Sequence, residues 1–523
     1  MALFMTEKFR HRTFAVLSGL LLTLAFPPVK APWIAWVALI PLLKSISGKS
    51  PRESFTLGLL AGLAHYLSLM YWIVVVLGHY GGLPLPASIG VLVLFCLYLA
   101  LYPALFSLLA RRLQGSRLYI LGTAALWTST ELLRAKALTG FPWSILGHSQ
   151  FSQLTLIQVS DLFGAYAVSF LLVACNVTLY LLIFEFRSFS TAMRKAEAAV
   201  VVVLLSATLI YGMLRLEQFD SKGGPKRSAA VAVVQGNIDQ SVKWNPRYQE
   251  RTLEIYETLT RKAAGYDPDL VLWPETAVPF FFQEENVLSK RVADLSRELG
   301  LTLIFGSPAF GPDDAGTRFY NRAYVLWNGE VRGYYDKIHL VPFGEYVPLK
   351  GLLFFVNRLV PAAGDFASGK VLNPLPGPGF SSGILICFEV VFPELARGQV
   401  REGADILINL TNDAWFGKTS APYQHLGMAV FRAVENRRPL VRAANTGISG
   451  FIGTTGEITR ESEIFKRDLL TAEVAFAPPQ VSFYTRYGDL FAYFLFAFSA
   501  IQIILGVWYK RQHSATKSRR DKG

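Results

Sequence analysis

The stretch ILICFEVVFPE, Ile384–Glu394, reads as a short apolar strand that stops at a cysteine, with Glu389 two residues later and Glu394 at its far end. Similar short runs recur on both sides of it: AAVAVVQ (229–235), DLVLWPE (269–275), LTLIFGSP (301–308), RAYVLWNGEV (322–331) and DILINLTN (405–412). Between some of them the apolar spacing switches to the helical period, at Arg247–Ala264 and Val287–Leu299, with Asn286 or Ser289 as the cap of the second. Strands alternating with helices predict one α/β domain over residues 219–487, entered through the linker SKGGPKRS (Ser221–Ser228).

The rest of the chain has a different character. Of 523 residues, 52% are hydrophobic and 17% charged, with mean hydropathy +0.34. Soluble domains carry about 25% charged residues, so much of this chain is expected in lipid. Eight apolar segments are long enough, or nearly so, to cross a bilayer: 13–27, 32–47, 55–77, 87–110, 118–133, 162–184, 196–214 and 490–509. The predicted organisation is a membrane portion of seven segments over 1–218, the α/β domain over 219–487, and an eighth segment with a basic tail over 488–523.

Basic residues orient the segments. Lys8, Arg10 and Arg12 precede the first; Lys44, Lys49 and Arg52 lie around the second link; Arg111, Arg112 and Arg117 fill the fourth, and Arg187, Arg194 and Lys195 the sixth. With the tail KRQHSATKSRRDKG they share one face if the segments alternate, whereas the other face has only Lys30, Arg134 and Lys136 in its short links. That pattern places both termini in the cytoplasm and the α/β domain outside it. It also accounts for most of the net charge of +13 through topology and anionic lipid, which leaves nucleic acid a poor partner.

Three polar groups stand where an apolar strand stops: Glu275 after DLVLWP, Lys337 after GYYD and Cys387 after GILI. Reactive groups gather at strand carboxyl ends in open α/β sheets. A carboxylate, an ammonium and a thiol together suit nucleophilic acyl transfer, in which Glu275 takes the thiol proton while Lys337 and the Phe388 backbone amide stabilise an oxyanion. Singly, each has a plainer reading: a buried filler cysteine, a turn glutamate and a solvated lysine. Cys96 and Cys175 lie inside long apolar runs and read as small core hydrophobes, so no disulfide framework is expected.

WPET (Trp273–Thr276), YDKIHLVPFGEYVP (Tyr335–Pro348) and ICFEVVFPE (Ile386–Glu394) resemble, in order and with spacings of 62 and 50 residues from Glu275 to Lys337 to Cys387, the three catalytic motifs of the nitrilase superfamily. The membrane frame around that domain resembles the apolipoprotein N-acyltransferase family. The resemblance implies a polytopic α-helical membrane domain plus an α-β-β-α sandwich, and a Glu275–Lys337–Cys387 triad. It gives Glu345 as the carboxylate that orients the lysine, Glu389 as a neighbour of the nucleophile, and Trp244 and Asn321 as residues near the site. Phe388 departs from the tyrosine common there.

The resemblance further implies a two-step exchange in the bacterial inner membrane, with the catalytic domain on the periplasmic side. An acyl chain passes from a phospholipid such as phosphatidylethanolamine to Cys387, and from that thioester to the N-terminal amine of a diacylglyceryl-cysteine on a lipoprotein. A membrane-anchored amidase that hydrolyses its thioester, or a non-catalytic receptor or transporter, is the alternative. No cofactor or metal is implied, since the histidines lack paired ligand spacing.

Apolar tips next to the motifs read as lipid-facing arms or as core. They are LKGLLFFVNRLVP (349–361) with Phe354 and Phe355, PFFFQEEN (279–286) with Phe281, and AWFG (414–417) with Trp415. GFPWSILGHSQ (140–150) reads as an outer loop that seats a lipid headgroup, or as an ordinary interfacial loop.

Overall fold

The apolar runs of the central domain become strands in a computed structural model, which describes residues 2–114, 116–220, 227–313, 316–346, 366–477 and 479–520. Its contacts divide the chain into a helical unit (1–71, 89–214 and 489–523) and a sheet unit (72–88 and 215–488). The segment 349–361, with Phe354 and Phe355, lies outside the described residues.

In the sheet unit, β1 (Ser228–Gln235), β2 (Leu270–Leu272) and β3 (Thr302–Asp313) run parallel. The antiparallel β4 (Gly316–Trp327), β5 (Glu330–Asp336) and β12 (Asp468–Ala475) complete a first sheet ordered β12-β1-β2-β3-β4-β5. The second sheet repeats the plan. Parallel β7 (Ser381–Ile386), β8 (Ile406–Thr411) and β9 (Leu440–Ala444) are flanked by β6 (Leu375–Pro376), β10 (Gly450–Ile452) and β11 (Ile458–Glu461), in the order β11-β10-β9-β8-β7-β6.

Side-chain alternation builds the layers. Val231, Val233, Leu272 and Ile304 of the first sheet share one core with Ile384, Ile386, Ile408 and Val441 of the second. The opposite face of the first sheet, with Ala232, Val271 and Phe305, packs on Leu253 and Tyr256 of the helix Pro246–Ala264 and on Val292 and Leu295 of the helix Val287–Leu299. The helices Pro393–Arg401 and Ala421–Asn436 pack on the second sheet. Four layers, α-β-β-α, result, and the parallel strands are buried on both faces. Asn286 caps its helix by accepting from the amides of Leu288 and Ser289 at 2.9 Å each.

Two strand expectations change. RAYVLWNGEV is not one strand but a hairpin, because Asn328 (φ 52°) and Gly329 (φ 77°) adopt the left-handed pair of a two-residue turn. DLVLWPE keeps only three strand residues, since Pro274 has no amide to continue the ladder.

In the helical unit, helices occupy each predicted apolar segment, including Ala2–Leu24, Pro51–Leu69, Leu85–Leu113, Tyr119–Lys136, Ala165–Phe184, Ala192–Asp220 and Leu490–Arg520. By length and composition, three among the described residues can each cross a membrane: Leu85–Leu113, Ala165–Phe184 and Ala192–Phe219. A fourth is added if Pro51–Leu69 and Trp72–Tyr80 form one broken span. Small residues let these helices touch: a Cβ on Gly19 would stand 2.2 Å from the Ala61 carbonyl oxygen, and one on Gly62 would stand 2.8 Å from Ala100 Cα. Val202, Val203 and Ile210 stay exposed on the helix Ala192–Asp220, as lipid-facing positions do.

The stretch 140–150, expected as a loop, is packed inside the unit. Trp143 is 1% exposed, and every residue from Trp143 to Gln150 is buried within the unit. Its amides and carbonyls bond to helix side chains, with the Leu146 amide donating to Glu131 at 2.7 Å and Arg134 donating to the Trp143 carbonyl at 2.8 Å.

Candidate active site

β2, β5 and β7 end next to the three predicted groups, and the sandwich brings the groups together. Glu275 stands three residues beyond β2, where the chain turns through Thr276 (φ 48°). Gly306 makes room for that turn: a Cβ there would lie 2.4 Å from the Thr276 nitrogen and 2.8 Å from Glu275 Cα. The Glu275 carboxylate is buried and doubly held, with Asn321 Nδ2 donating to Oε1 and the Asn412 amide donating to Oε2, both at 2.8 Å.

Lys337 follows β5 directly and is 1% exposed, far from a solvated charge. Its Nζ lies 2.9 Å from Glu345 and 3.6 Å from Glu275 Oε1. Burial works against the ammonium, but the Glu345 and Glu275 carboxylates outweigh it and hold the group well above the usual lysine range. Glu345, expected as a lysine-orienting acid, also accepts from Asn321 Nδ2 at 3.0 Å and from the Val341 amide at 2.8 Å.

Cys387 is the first residue past β7 and opens a 3₁₀ turn, Cys387–Val391. Its backbone is left-handed, φ 51°, a conformation rare for a residue with a Cβ. Burial, then the Glu275 carboxylate, pushes the thiol up to about 12, with the Lys337 ammonium opposing. Cys387 therefore rests as the thiol, and any attack by it would need a base. Glu275 is the carboxylate that acts on it most strongly.

Glu389 is fully buried and joins the segment around Lys337 to the segment before Cys387. Oε2 accepts from the Ile386 amide at 2.7 Å; Oε1 accepts from the amides of Ile338 at 2.7 Å and His339 at 3.1 Å and from the Tyr335 hydroxyl at 3.0 Å. It thus braces the residues next to Lys337 against the residue before Cys387. Phe388 lies 5.1 Å from Phe392, edge to face.

Trp244 is 47% exposed, which removes core packing as its role. Phe281 stacks on Phe319 at 5.8 Å, and Trp415 meets Tyr80 edge-on at the same separation, both within the sheet unit. Asn409, which heads an Asn-Leu-Thr acceptor pattern, is fully buried.

Sequence reasoning missed Lys243. It is 1% exposed, and its Nζ donates to the Glu275 carbonyl at 3.1 Å. Burial brings it down to about 8, resisted by Glu275 and Cys387. Only its place beside Trp244 in VKWNP pointed to it. Asn412, whose amide holds Glu275, was missed for the same reason: a backbone donor leaves no mark on residue type.

Residues 18–178 match the family model for the apolipoprotein N-acyltransferase N-terminal domain, and 230–478 match that for carbon-nitrogen hydrolase. An apolipoprotein N-acyltransferase from Geobacter metallireducens is 46% identical over 509 residues, which cover 96% of each chain. The chain belongs to the apolipoprotein N-acyltransferase family. Another member, from Methylococcus capsulatus, is 34% identical over 87% of this chain and 88% of its own. Among solved structures, a carbon-nitrogen hydrolase from Helicobacter pylori is 19% identical with TM-score 0.37, covering 47% of this chain and 89% of its own. An amidase from Nesterenkonia gives 22% and 0.37, covering 50% and 95%. In this chain three helices among the described residues, long and apolar enough to cross a membrane, accompany a carbon-nitrogen hydrolase domain.

Proposed function

We propose that Glu275, Lys337 and Cys387 carry out apolipoprotein N-acylation in two half-reactions through a thioester. The observation that carries the reading is the division of labour among the charges: Glu345 pairs with Lys337 at 2.9 Å, leaving Glu275, at 3.6 Å, to exchange protons with the thiol.

In the first half-reaction Glu275 takes the Cys387 proton as Sγ attacks a phospholipid ester carbonyl. Lys337 Nζ and the Phe388 amide stabilise the tetrahedral oxyanion. The C–O bond breaks, and Glu275 returns the proton to the lysophospholipid alkoxide. In the second, the neutral N-terminal amine of an S-diacylglyceryl-cysteine attacks the thioester carbonyl. Glu275 accepts the amine proton, the C–S bond breaks, and the thiolate recovers the proton. Water competes with the amine, so the apolar tips that carry Phe281, Trp415, Phe354 and Phe355 are assigned to lipid entry and water exclusion. The donor is phosphatidylethanolamine-like, and no cofactor takes part.

The positive residues support a frame with both termini in the cytoplasm, seven spans over 1–218, a periplasmic catalytic domain over 219–487, and an eighth span within 488–523, in the inner membrane. Intact-mass measurement tests the chemistry. With phosphatidylethanolamine vesicles the full chain should gain one acyl group, absent in Cys387→Ala and present in Cys96→Ala and Cys175→Ala. Adding a diacylglyceryl-cysteine peptide should move that group to the peptide amine. Release as free fatty acid alone would instead identify a hydrolase.

A further inference from the structure

Beneath Cys387 lies a set of buried polar side chains that the proton transfers above do not use. Asn409 and Thr411 on β8, Asp413 just beyond it, Arg442 on β9 and His425 on the helix Ala421–Asn436 are all fully buried. Arg442 is the hub. Its Nη2 donates to Asp413 Oδ2 at 2.6 Å and to His425 Nδ1 at 2.9 Å, its Nη1 donates to Asn409 Oδ1, and its Nε donates to the Ile448 carbonyl at 3.1 Å. Thr411 donates to Asp413 Oδ1 at 2.9 Å. Asn409 Nδ2 then reaches across to β7, donating to the Leu385 carbonyl at 2.9 Å and to the Cys387 carbonyl at 3.3 Å.

A buried guanidinium and carboxylate are costly, and apolar residues of like volume are often as stable. The set is therefore a poor device for stability alone. What it delivers is a donor at the carbonyl of a residue whose left-handed backbone needs holding. His425 adds to this. Its Nδ1 lies 2.9 Å from Arg442 Nη2 and 3.2 Å from Asp413 Oδ1, so the ring is held against both charges of the set.

We propose that Arg442, Asp413 and His425, acting through Asn409, are positioning residues that fix the Cys387 peptide in its left-handed conformation and so aim Sγ at the ester carbonyl. The inference rests on Cys387 being the acylated residue. A misplacement of about 1 Å costs roughly 100-fold in rate, so loss of the clamp is expected on that scale.

The test uses the full chain in phosphatidylethanolamine-containing micelles. Asn409→Asp keeps the volume and the acceptor for Arg442 but places an oxygen against the Cys387 carbonyl. Arg442→Lys keeps the charge but cannot serve Asn409, Asp413 and His425 together. Both should lower the single-turnover acylation rate about 100-fold with KM for phospholipid unchanged, and both should slow iodoacetamide labelling of Cys387 at pH 9. His425→Gln, whose amide keeps a polar partner for Arg442 and Asp413, should recover most of the rate lost in His425→Leu. Folded variants, judged by melting curves, that acylate at the wild-type rate would overturn the proposal, as would a loss confined to KM. If Asn409→Asp does not fold, the His425 pair decides. Failure of the underlying reading shows separately, as a wild-type chain with no adduct on Cys387.

Discussion

Lys337 Nζ is closer to Glu345, at 2.9 Å, than to Glu275, at 3.6 Å. The partner of the lysine is thus a carboxylate outside the triad. In the proposed mechanism Glu345 takes up the ammonium so that it need not neutralise the base, and it holds Lys337 as the oxyanion donor from behind. Glu345→Gln keeps an acceptor but removes the charge. Lys337 is expected to turn to Glu275, and thioester formation should fall by about 10²–10³ with KM for lipid little changed. Single-turnover acylation measures it, and an unchanged rate would remove Glu345 from the mechanism.

The Cys387 thiol, pushed up to about 12, should label slowly with iodoacetamide at neutral pH, with a rate still rising at pH 10. Removing an anion or a cation beside it should act in opposite senses. Glu275→Gln speeds labelling at pH 9 because the repelling carboxylate is gone, yet abolishes acyl transfer because the base is gone. Lys337→Gln slows both. If Glu275→Gln slowed labelling, Glu275 would already hold the thiol proton before substrate arrives.

The sheet frame and the positions of Glu275, Lys337 and Cys387 at strand ends were readable because both depend on residue type. Apolar runs of three or more residues mark the parallel strands, and an isolated Glu, Lys or Cys marks each strand end. Lys337 was placed correctly, but its 1% exposure was not legible, since YDKIH reads the same on a surface. The amide of Asn412 on Glu275 and the contribution of Lys243 depend on where loops meet, which no local pattern records. The burial of the stretch 140–150 was hidden for a related reason. Its Gly, Pro and Ser signal a loop, but Glu131 and Arg134 bind its backbone and allow it to be buried.

Glu389 gives a pH signature. Burial pushes it up to about 7, against the hydrogen bonds from Ile386 and His339. Its folded value is above the model-peptide carboxylate value of about 4.3. The folded state therefore binds the proton more tightly, and this contribution to stability is full below about 4.3 and lost as pH rises through 7. Activity should run the other way. All four donors on Glu389 require acceptor oxygens, so protonation disturbs the brace between Ile338 and Ile386. Acylation should fall below pH 7 in the wild type. Glu389→Gln should be slow at every pH, with a flatter melting-temperature profile between pH 4.5 and 7. A variant that kept the wild-type profile would assign the acid limb to another group.

Lys243 supplies the opposite sign. Burial lowers it to about 8 from an ordinary value near 10.4. Between those values the unfolded chain binds the proton and the folded chain does not, so stability from this group rises with pH across that window. Below pH 8 the buried ammonium costs about 3 kcal/mol relative to its free state. Lys243→Met keeps the length and removes the charge, so it should melt higher than the wild type at pH 7, with the gap shrinking towards pH 10. Its acylation rate should nonetheless fall about tenfold, because the ammonium favours the Cys387 thiolate that forms during attack. Melting and single-turnover rates on the same samples separate the two effects. A variant that is more stable at pH 7 and acylates at the wild-type rate would show that the charge is tolerated and not used. A melting gap independent of pH would show that Lys243 titrates alike in the folded and unfolded chain, so that burial does not lower it.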